Sequence, residues 1–481
     1  MGARPSFRPG ALALLILLGV AVSACGRTGP VDPVQAAEPK GTLFVFADLR
    51  GTLKPCGCSP DLRRGGLDRV AEVLRRAREA TPTGLVLHAG DLLLDDEGIP
   101  DVLRAQIDRR LSAFAGALAS MRVDAVGLGP NDLQQPEWLA EALPTLSVPV
   151  IVTNAPPSAP WGAHVKRSLL LDAGPLKVGI IGLVPGGAAG ATDPLEAAQA
   201  ESQALRAKGA HVVIALSSLG LRAAKRLARG GLGVDVMVAA GQGLDAVVTD
   251  EVESIGPEPR PTFVLQSFVQ GGQVGRIDID LAGDGLSLYD PEAPSTTTGQ
   301  LRYTLTPVNW DLPRDAAVAS IMDRFDADLE AVNLKAAGDP IPPVAGQPTY
   351  VGVDKCYECH EATRAWYEKD QHFLAWETIE NDKKTFDIYC VSCHVTGFMR
   401  PGGSSLKALA GLKDVQCESC HGPGSAHAET GDVTLIQRSP TESTCKTCHN
   451  PKHSTRFEFE AYRERLLAPG HGLPPDGAKA P

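Results

Sequence analysis

Cys356-Tyr-Glu-Cys359-His360, Cys390-Val-Ser-Cys393-His394, Cys417-Glu-Ser-Cys420-His421 and Cys445-Lys-Thr-Cys448-His449 repeat one spacing four times. They decide how the last quarter of this 481-residue chain is read. Cys-x-x-Cys-His is the attachment spacing of a c-type haem. Two thiols three residues apart reach the two vinyl groups of one porphyrin, and the adjacent histidine sits under the iron as the proximal ligand. Zinc also uses Cys-x-x-Cys pairs, but zinc does not require a histidine directly after every pair, and neither does a disulfide framework. Eight of the eleven cysteines and eight of the eleven histidines fall in this one segment. The expectation is four covalently bound c-type haems on residues 351–481.

Working outward, the next question is the far side of each iron. Four histidines in the segment are outside the motifs: His372, His427, His453 and His471. Together with His360, His394, His421 and His449 they permit bis-histidine ligation throughout. Met399 is the only methionine of the segment and follows His394 by five residues, so it reads as packing. Histidine in place of methionine implies low reduction potentials. Glu361–Glu380 and Phe457–Leu467 read as helices; the rest has little apolar periodicity, so the porphyrins are expected to supply much of the core.

Trp366 and His372, the run Cys390-Val-Ser-Cys393-His394-Val-Thr-Gly397, Cys417-Glu-Ser-Cys420-His421-Gly-Pro-Gly-Ser-Ala-His427, and the tail His453…Phe457-Glu-Phe459…Tyr462…His471 resemble the cytochrome c-554 type of tetrahaem protein. That resemblance covers about 351–475. It implies a mainly α, haem-packed domain, closely stacked haems and electron transfer. It also implies that one iron lacks a distal ligand, the second motif at His394 being the family-based expectation.

Residues 41–283 alternate apolar strands with amphipathic helices. Strands are expected at Leu43–Asp48, Gly84–His88, Asp124–Gly127, Val148–Thr153, Leu176–Leu183, His211–Leu216 and Asp235–Ala239. Helices are expected at Gly66–Ala80, Val102–Met121, Leu195–Lys208 and Leu221–Arg229. The alternation argues for an α/β layered sandwich. No Gly-rich phosphate loop follows the first strand. The motifs Asp48-Leu-Arg50, Gly65-Gly66-Leu67, His88-Ala-Gly90-Asp91, Gly129-Pro130-Asn131-Asp132, Val152-Thr-Asn154, Leu216-Ser-Ser218 and Gly241-Gln242-Gly243 resemble, in order, the metallophosphatase domain of the 5′-nucleotidase family. The likeness implies a two-metal hydrolase, yet the family's Asp-x-His is here Asp48-Leu-Arg50, its Gly-Asn-His-Glu is Gly129-Pro130-Asn131-Asp132, and its two later histidine motifs contain Ser218 and Gln242. A two-metal site needs carboxylates and neutral imidazoles to hold both cations. Asp48 and Asp91 survive; the imidazoles do not. The domain is expected to be inactive as a phosphatase, with His88 a packed strand histidine.

Three further segments complete the organisation. Residues 1–24 have Arg4 and Arg8, then an apolar run from Ala11 to Val22, shorter than the roughly 20 residues needed to span a bilayer. Small residues lead directly to Cys25. This pattern resembles a bacterial lipoprotein signal, which implies that Cys25 carries lipid and that 25–40 is a tether. Gly26 rather than Asp follows the cysteine, which favours the outer membrane by the lipoprotein sorting rule. Residues 284–350 read as a Pro- and Gly-rich connection with one helix at Pro313–Asn333. Cys56 and Cys58, just after the first strand, read as a redox pair, a soft-metal site or a structural turn.

Forty-six basic against 57 acidic side chains give a net charge of −11, which offers no electrostatic footprint for nucleic acid. The chain is therefore expected to be a lipid-anchored electron-transfer protein facing the periplasm, with redox donors and acceptors as partners. Two alternatives stand beside it: a redox enzyme acting on a small nitrogen or sulfur compound at an open haem, and a metal-dependent phosphohydrolase with an accessory haem domain.

Overall fold

Alternation along strand β1, Gly41–Ala47, feeds two cores at once. Successive side chains of a strand point to opposite faces. Leu43, Val45 and Ala47 enter a core between two sheets, while Phe44 and Phe46 enter a core under helices. The computed structural model describes residues 41–473 except 55–63, 242, 244–247, 268, 282–284, 293–297, 410 and 455. Cys25, Cys56, Cys58 and Gln242 therefore lie outside the described residues, as do the signal and tether.

From β1 the chain adds β2 (Leu85–Ala89), β3 (Ala125–Gly127) and β4 (Val150–Ile151) in parallel. It then crosses to a second sheet made of β5 (Ser168–Ala173), β6 (Leu176–Leu183), β7 (Val212–Ser217), β8 (Val236–Ala239), β9 (Glu253–Ile255) and β10 (Thr262–Gln266). It returns to the first with β11 (Gln273–Asp280), β12 (Leu286–Leu288) and β13 (Gly299–Pro307). The strand orders are β12-β13-β11-β1-β2-β3-β4 and β5-β6-β7-β8-β10-β9. Helices α1 (Leu67–Ala80) and α2 (Arg104–Ser120) precede the short α3 (Pro136–Ala142); α4 (Pro194–Ala207) and α5 (Leu221–Ala228) follow, and α6 (Ala316–Ala336) comes last. Helices α1, α2 and α6 bury apolar residues on the outer face of the first sheet, and α4 and α5 cover the second. The result is the metallophosphatase-like layered sandwich, followed by a helical C-terminal region.

Strands β5, β9, β10 and β11 are not among those expected from the sequence, β4 is shorter than the expected Val148–Thr153, and two further details differ. Residues 284–350, read as a connection with one helix, also contribute β12 and β13, because β13 pairs with β11 along its whole length. The stretch Glu361–Glu380, read as one helix, is two, Glu361–Tyr367 and Ala375–Asn381. Between them Asp370 accepts hydrogen bonds from the backbone N–H and the Nδ1 of His372, at 2.9 and 2.8 Å. Such a local side-chain bond competes with the helix, and here it turns His372 off the helical path.

The described residues form one compact unit. The helix Ile388–His394, which carries the second motif, sits on the sandwich rather than beside it. Ile388, Val391, Val395 and Leu406 share a core with Leu103, Ile107, Phe325 and Leu329. Buried Gln106 on α2 donates to Asp387 (2.5 Å) and accepts from the N–H of Ile388 (3.0 Å) and from Asn333 of α6 (2.8 Å).

Candidate functional site

The four motifs sit on short helices with their thiols outside any disulfide. Cys356 approaches Cys417, and Cys393 approaches Cys448, so the first and third motifs form one group and the second and fourth another. Glu418, inside the third motif and 2% exposed, ties the third motif to the segment that leads into the first. Its carboxylate accepts from the N–H groups of Val351, Gly352 and Gly424 at 2.7 to 3.1 Å.

The imidazoles then sort themselves. His360 faces His427 with ring centres 6.2 Å apart; His372 faces His449 and His421 faces His471, both at 6.1 Å. A first-row metal bonds an imidazole nitrogen at about 2 Å, and each nitrogen lies ~1 Å from its ring centre. Two rings clamping one iron therefore stand about 6 Å apart. The second shell agrees. A ligating histidine usually directs its other nitrogen at a carbonyl or carboxylate, which fixes the tautomer. His372 Nδ1 meets Asp370, His421 Nδ1 the Gln437 carbonyl, His427 Nδ1 the Asp432 carbonyl and His471 Nδ1 the Leu466 carbonyl, at 2.6 to 3.0 Å. His449 Nδ1 meets the Ser454 hydroxyl at 3.3 Å. Trp366 stacks on His471 and Phe457 on His449, at 4.5 and 4.9 Å. The donor set fits haem: free thiols, paired rings, and Nε2 left for the metal.

The other two histidines differ. His394 has its Nδ1 fixed, by the Ala375 carbonyl at 2.5 Å and Thr378 Oγ1 at 3.2 Å. Among the described residues no second imidazole faces it. His453 shows neither a facing ring nor a bonded ring nitrogen among them. The structure thus brings six of the eight candidate iron ligands into pairs and leaves His394 and His453 apart. Cys390, Cys393, His394, Cys448, His449 and His453 line one cavity of about 1270 Å³ together with Arg50, Lys54 and Arg110 of the sandwich.

At the ends of β1 and β2 lies the other candidate site. Asp48 is fully buried and accepts from the Gly241 N–H at 2.8 and 3.1 Å. Asp91 accepts from the N–H and Nδ2 of Asn131, both at 2.9 Å, and lies 4.0 Å from Arg50 Nε. Burial, reinforced by Asp132 and Asp48 nearby, pushes the Asp91 carboxyl up to about 8. Asp48, Arg50 and Asp91 all have left-handed backbones, with φ of 51, 48 and 40°, a strained geometry common at functional sites. Asp132 is a residue whose role the motif order did not reveal. Its buried carboxylate accepts from four N–H groups, those of Leu92, Leu93, Leu94 and Gly129, and so holds the loop after β2. Ser218 donates to the Leu128 carbonyl at 2.7 Å. His88 is fully buried beneath this site, edge-on to Phe46, and burial drives its pKa down to about 3. Among the described residues no three His, Cys, Asp or Glu side chains converge to hold a metal ion.

Comparison with known proteins assigns the two halves. Residues 355–422 match the family model described as cytochrome c554 and c-prime. That span contains the first three attachment motifs. Cytochrome c-554 of Nitrosomonas europaea is 31% identical over 158 residues, which is 29% of this chain and 66% of that protein. A probable 5′-nucleotidase of Treponema pallidum is 25% identical over 240 residues, 45% of this chain and 39% of that protein. The solved 5′-nucleotidase precursor of Thermus thermophilus is 21% identical with a TM-score of 0.47, covering 65% of this chain and 61% of its own. The chain therefore spans just under two thirds of its cytochrome relative and well under half of the nucleotidase one. Its C-terminal region is similar to cytochrome c-554 and is joined to a sandwich similar to the 5′-nucleotidases.

Proposed function

We propose that this chain is a lipid-anchored tetrahaem c-type cytochrome that passes electrons between periplasmic donors and acceptors. The three facing imidazole pairs carry the reading. When bound, haems supply one-electron redox chemistry, and His360/His427, His449/His372 and His421/His471 are the residues that would hold three of the irons. Bis-histidine ligation favours low potentials. The close approach of the motifs within each group favours rapid transfer between neighbours. Anchoring through Cys25 at the outer membrane, and export to the compartment where c-type haem is attached, follow from the leader and are part of the proposal. A pyridine haemochrome assay with intact mass on protein matured in a c-type haem host tests the count: four haems are expected, and three would overturn it.

The His394 arrangement favours a second reading. A fourth iron held by His394 alone would have an open face, where a small nitrogen or sulfur compound has room to bind. Turnover of such a compound by pure protein with a reduced donor would move the assignment from carrier to enzyme. The 5′-nucleotidase likeness, with Asp48 and Asp91 in place, supports phosphohydrolysis in part. Nucleotide hydrolysis by pure protein with added manganese would establish it; the Arg50 cation beside Asp91 leads us to expect none.

A further inference from the structure

Arg110 lies on α2 and is 8% exposed. A guanidinium stays charged at any physiological pH, and a buried charge costs several kcal/mol unless it is paired. The basic side chains around it, although more exposed, are paired. Arg104 pairs with Asp108 at 2.9 Å and Arg109 with Asp328 at 2.5 Å. Lys54, in the same cavity wall, pairs with Asp326, and Lys452 pairs with Asp95, Asp96 and Glu97. Among the described residues Arg110 pairs with no carboxylate. It packs instead over the ring of Tyr389, 5.2 Å from the centroid. On its other side is Gly51, where a Cβ would lie 2.6 Å from Nη2. A glycine is needed there for that close approach as well as for its φ of 73°.

A second group at the same spot is also unsatisfied. The hydroxyl of Tyr389 is buried and meets no polar group but the Arg110 guanidinium, which can only donate, so its own O–H has no acceptor. Buried polar groups are nearly always bonded, and each exception calls for an explanation. Both side chains line the cavity that contains Cys390, Cys393 and His394, and Tyr389 immediately precedes Cys390. A planar guanidinium fork beside a phenol hydroxyl is a donor set for an oxyanion.

We propose that Arg110 and Tyr389 form an anion receptor through which the sandwich domain serves the second haem site. The ligand is a carboxylate or an oxyanion of similar size. Two sources share that chemistry: a propionate of a haem held in this cavity, and a free small oxyanion bound on the open side of His394. The inference rests on the reading that the second motif carries a haem. It gives the sandwich a function that does not depend on the Asp48 and Asp91 site.

The test uses full-length holoprotein carrying Arg110→Gln, Arg110→Lys or Tyr389→Phe, with haem count and circular dichroism confirming intact protein. Spectropotentiometry and titration with nitrite, followed by the high-spin haem spectrum, are the readouts. If a propionate is the ligand, Arg110→Gln makes one haem harder to reduce by about tenfold, about 59 mV for one electron. Arg110→Lys restores most of it, and nitrite affinity is unchanged. If a free oxyanion is the ligand, Arg110→Gln weakens nitrite binding tenfold or more at unchanged potentials, and Tyr389→Phe weakens it less. Intact four-haem variants with neither change overturn the proposal. A wild-type protein without a haem at Cys390 and Cys393 overturns the underlying reading itself, and the haem count separates that failure from the other.

Discussion

Each paired imidazole in the C-terminal region has a partner at least fifty residues away along the chain. The motif histidines were legible from the sequence because thioether chemistry fixes a local spacing. The distal ones were legible only as a set, since their pairing is made in space. His453 shows the limit of counting: four irons and four spare histidines balance on paper, yet the structure gives His453 no ring to face among the described residues. Two results are expected at this scale. His372→Ala should convert one low-spin haem to high-spin, and His372→Met should keep it low-spin with a raised potential, both read by EPR with spectropotentiometry. His453→Ala should leave spectra and potentials as they are; a lost low-spin signal would make His453 the missing distal ligand.

At the scale of single elements, strand alternation and helix periodicity were readable wherever local pattern decides burial. Leu176–Leu183 is a strand over the residues expected, and α1, α2, α4 and α5 lie within two residues of theirs. What escaped were β5, β9, β10 and β11, then β12 and β13, whose place comes from pairing with neighbouring strands, and the break at His372, which one carboxylate makes. Strand β2 supplies a test. Burial holds folded His88 near 3 against an ordinary 6.5. As pH falls through 6.5 the unfolded chain takes up a proton that the folded chain refuses. This contribution to stability is thus full above 6.5 and is lost as pH falls toward 3. Its slope is at most about 1.4 kcal/mol per pH unit. Denaturant melts of His88→Phe should show a shallower loss between pH 6 and 4 than wild type; parallel curves would refute the burial argument. In the third motif, Glu418→Ala leaves three N–H groups without their carboxylate. A cost of about 1–3 kcal/mol for each buried donor left unsatisfied is the upper bound expected, read as a lower urea midpoint and incomplete haem loading at the first and third sites.

Taken whole, the molecule is more than two regions joined end to end. The sequence divides at about residue 350, because composition and motif type change there. The folded chain does not divide so cleanly: the second motif shares its core with α2 and α6, and the Gln106 amide joins the two. That joint could not be read in advance, since Gln106, Asn333 and Asp387 belong to three separate segments and none carries a motif. Gln106→Leu should cost about 1–3 kcal/mol by stranding the Ile388 N–H and removing one of the two donors to Asp387, which keeps the Tyr389 N–H. It should also perturb the second haem before the others, which Mössbauer or EPR line shapes would register; equal perturbation of all four would contradict the joint.

The central claim is that the C-terminal region holds four haems, three between facing histidines and one on His394 alone. Low-temperature EPR on fully matured, oxidised protein with a verified haem count tests it directly. Four haems are expected, with three low-spin signals and one high-spin signal whose line shape changes in a His394 variant. Four low-spin signals, or a high-spin signal unaltered by replacement of His394, would contradict it.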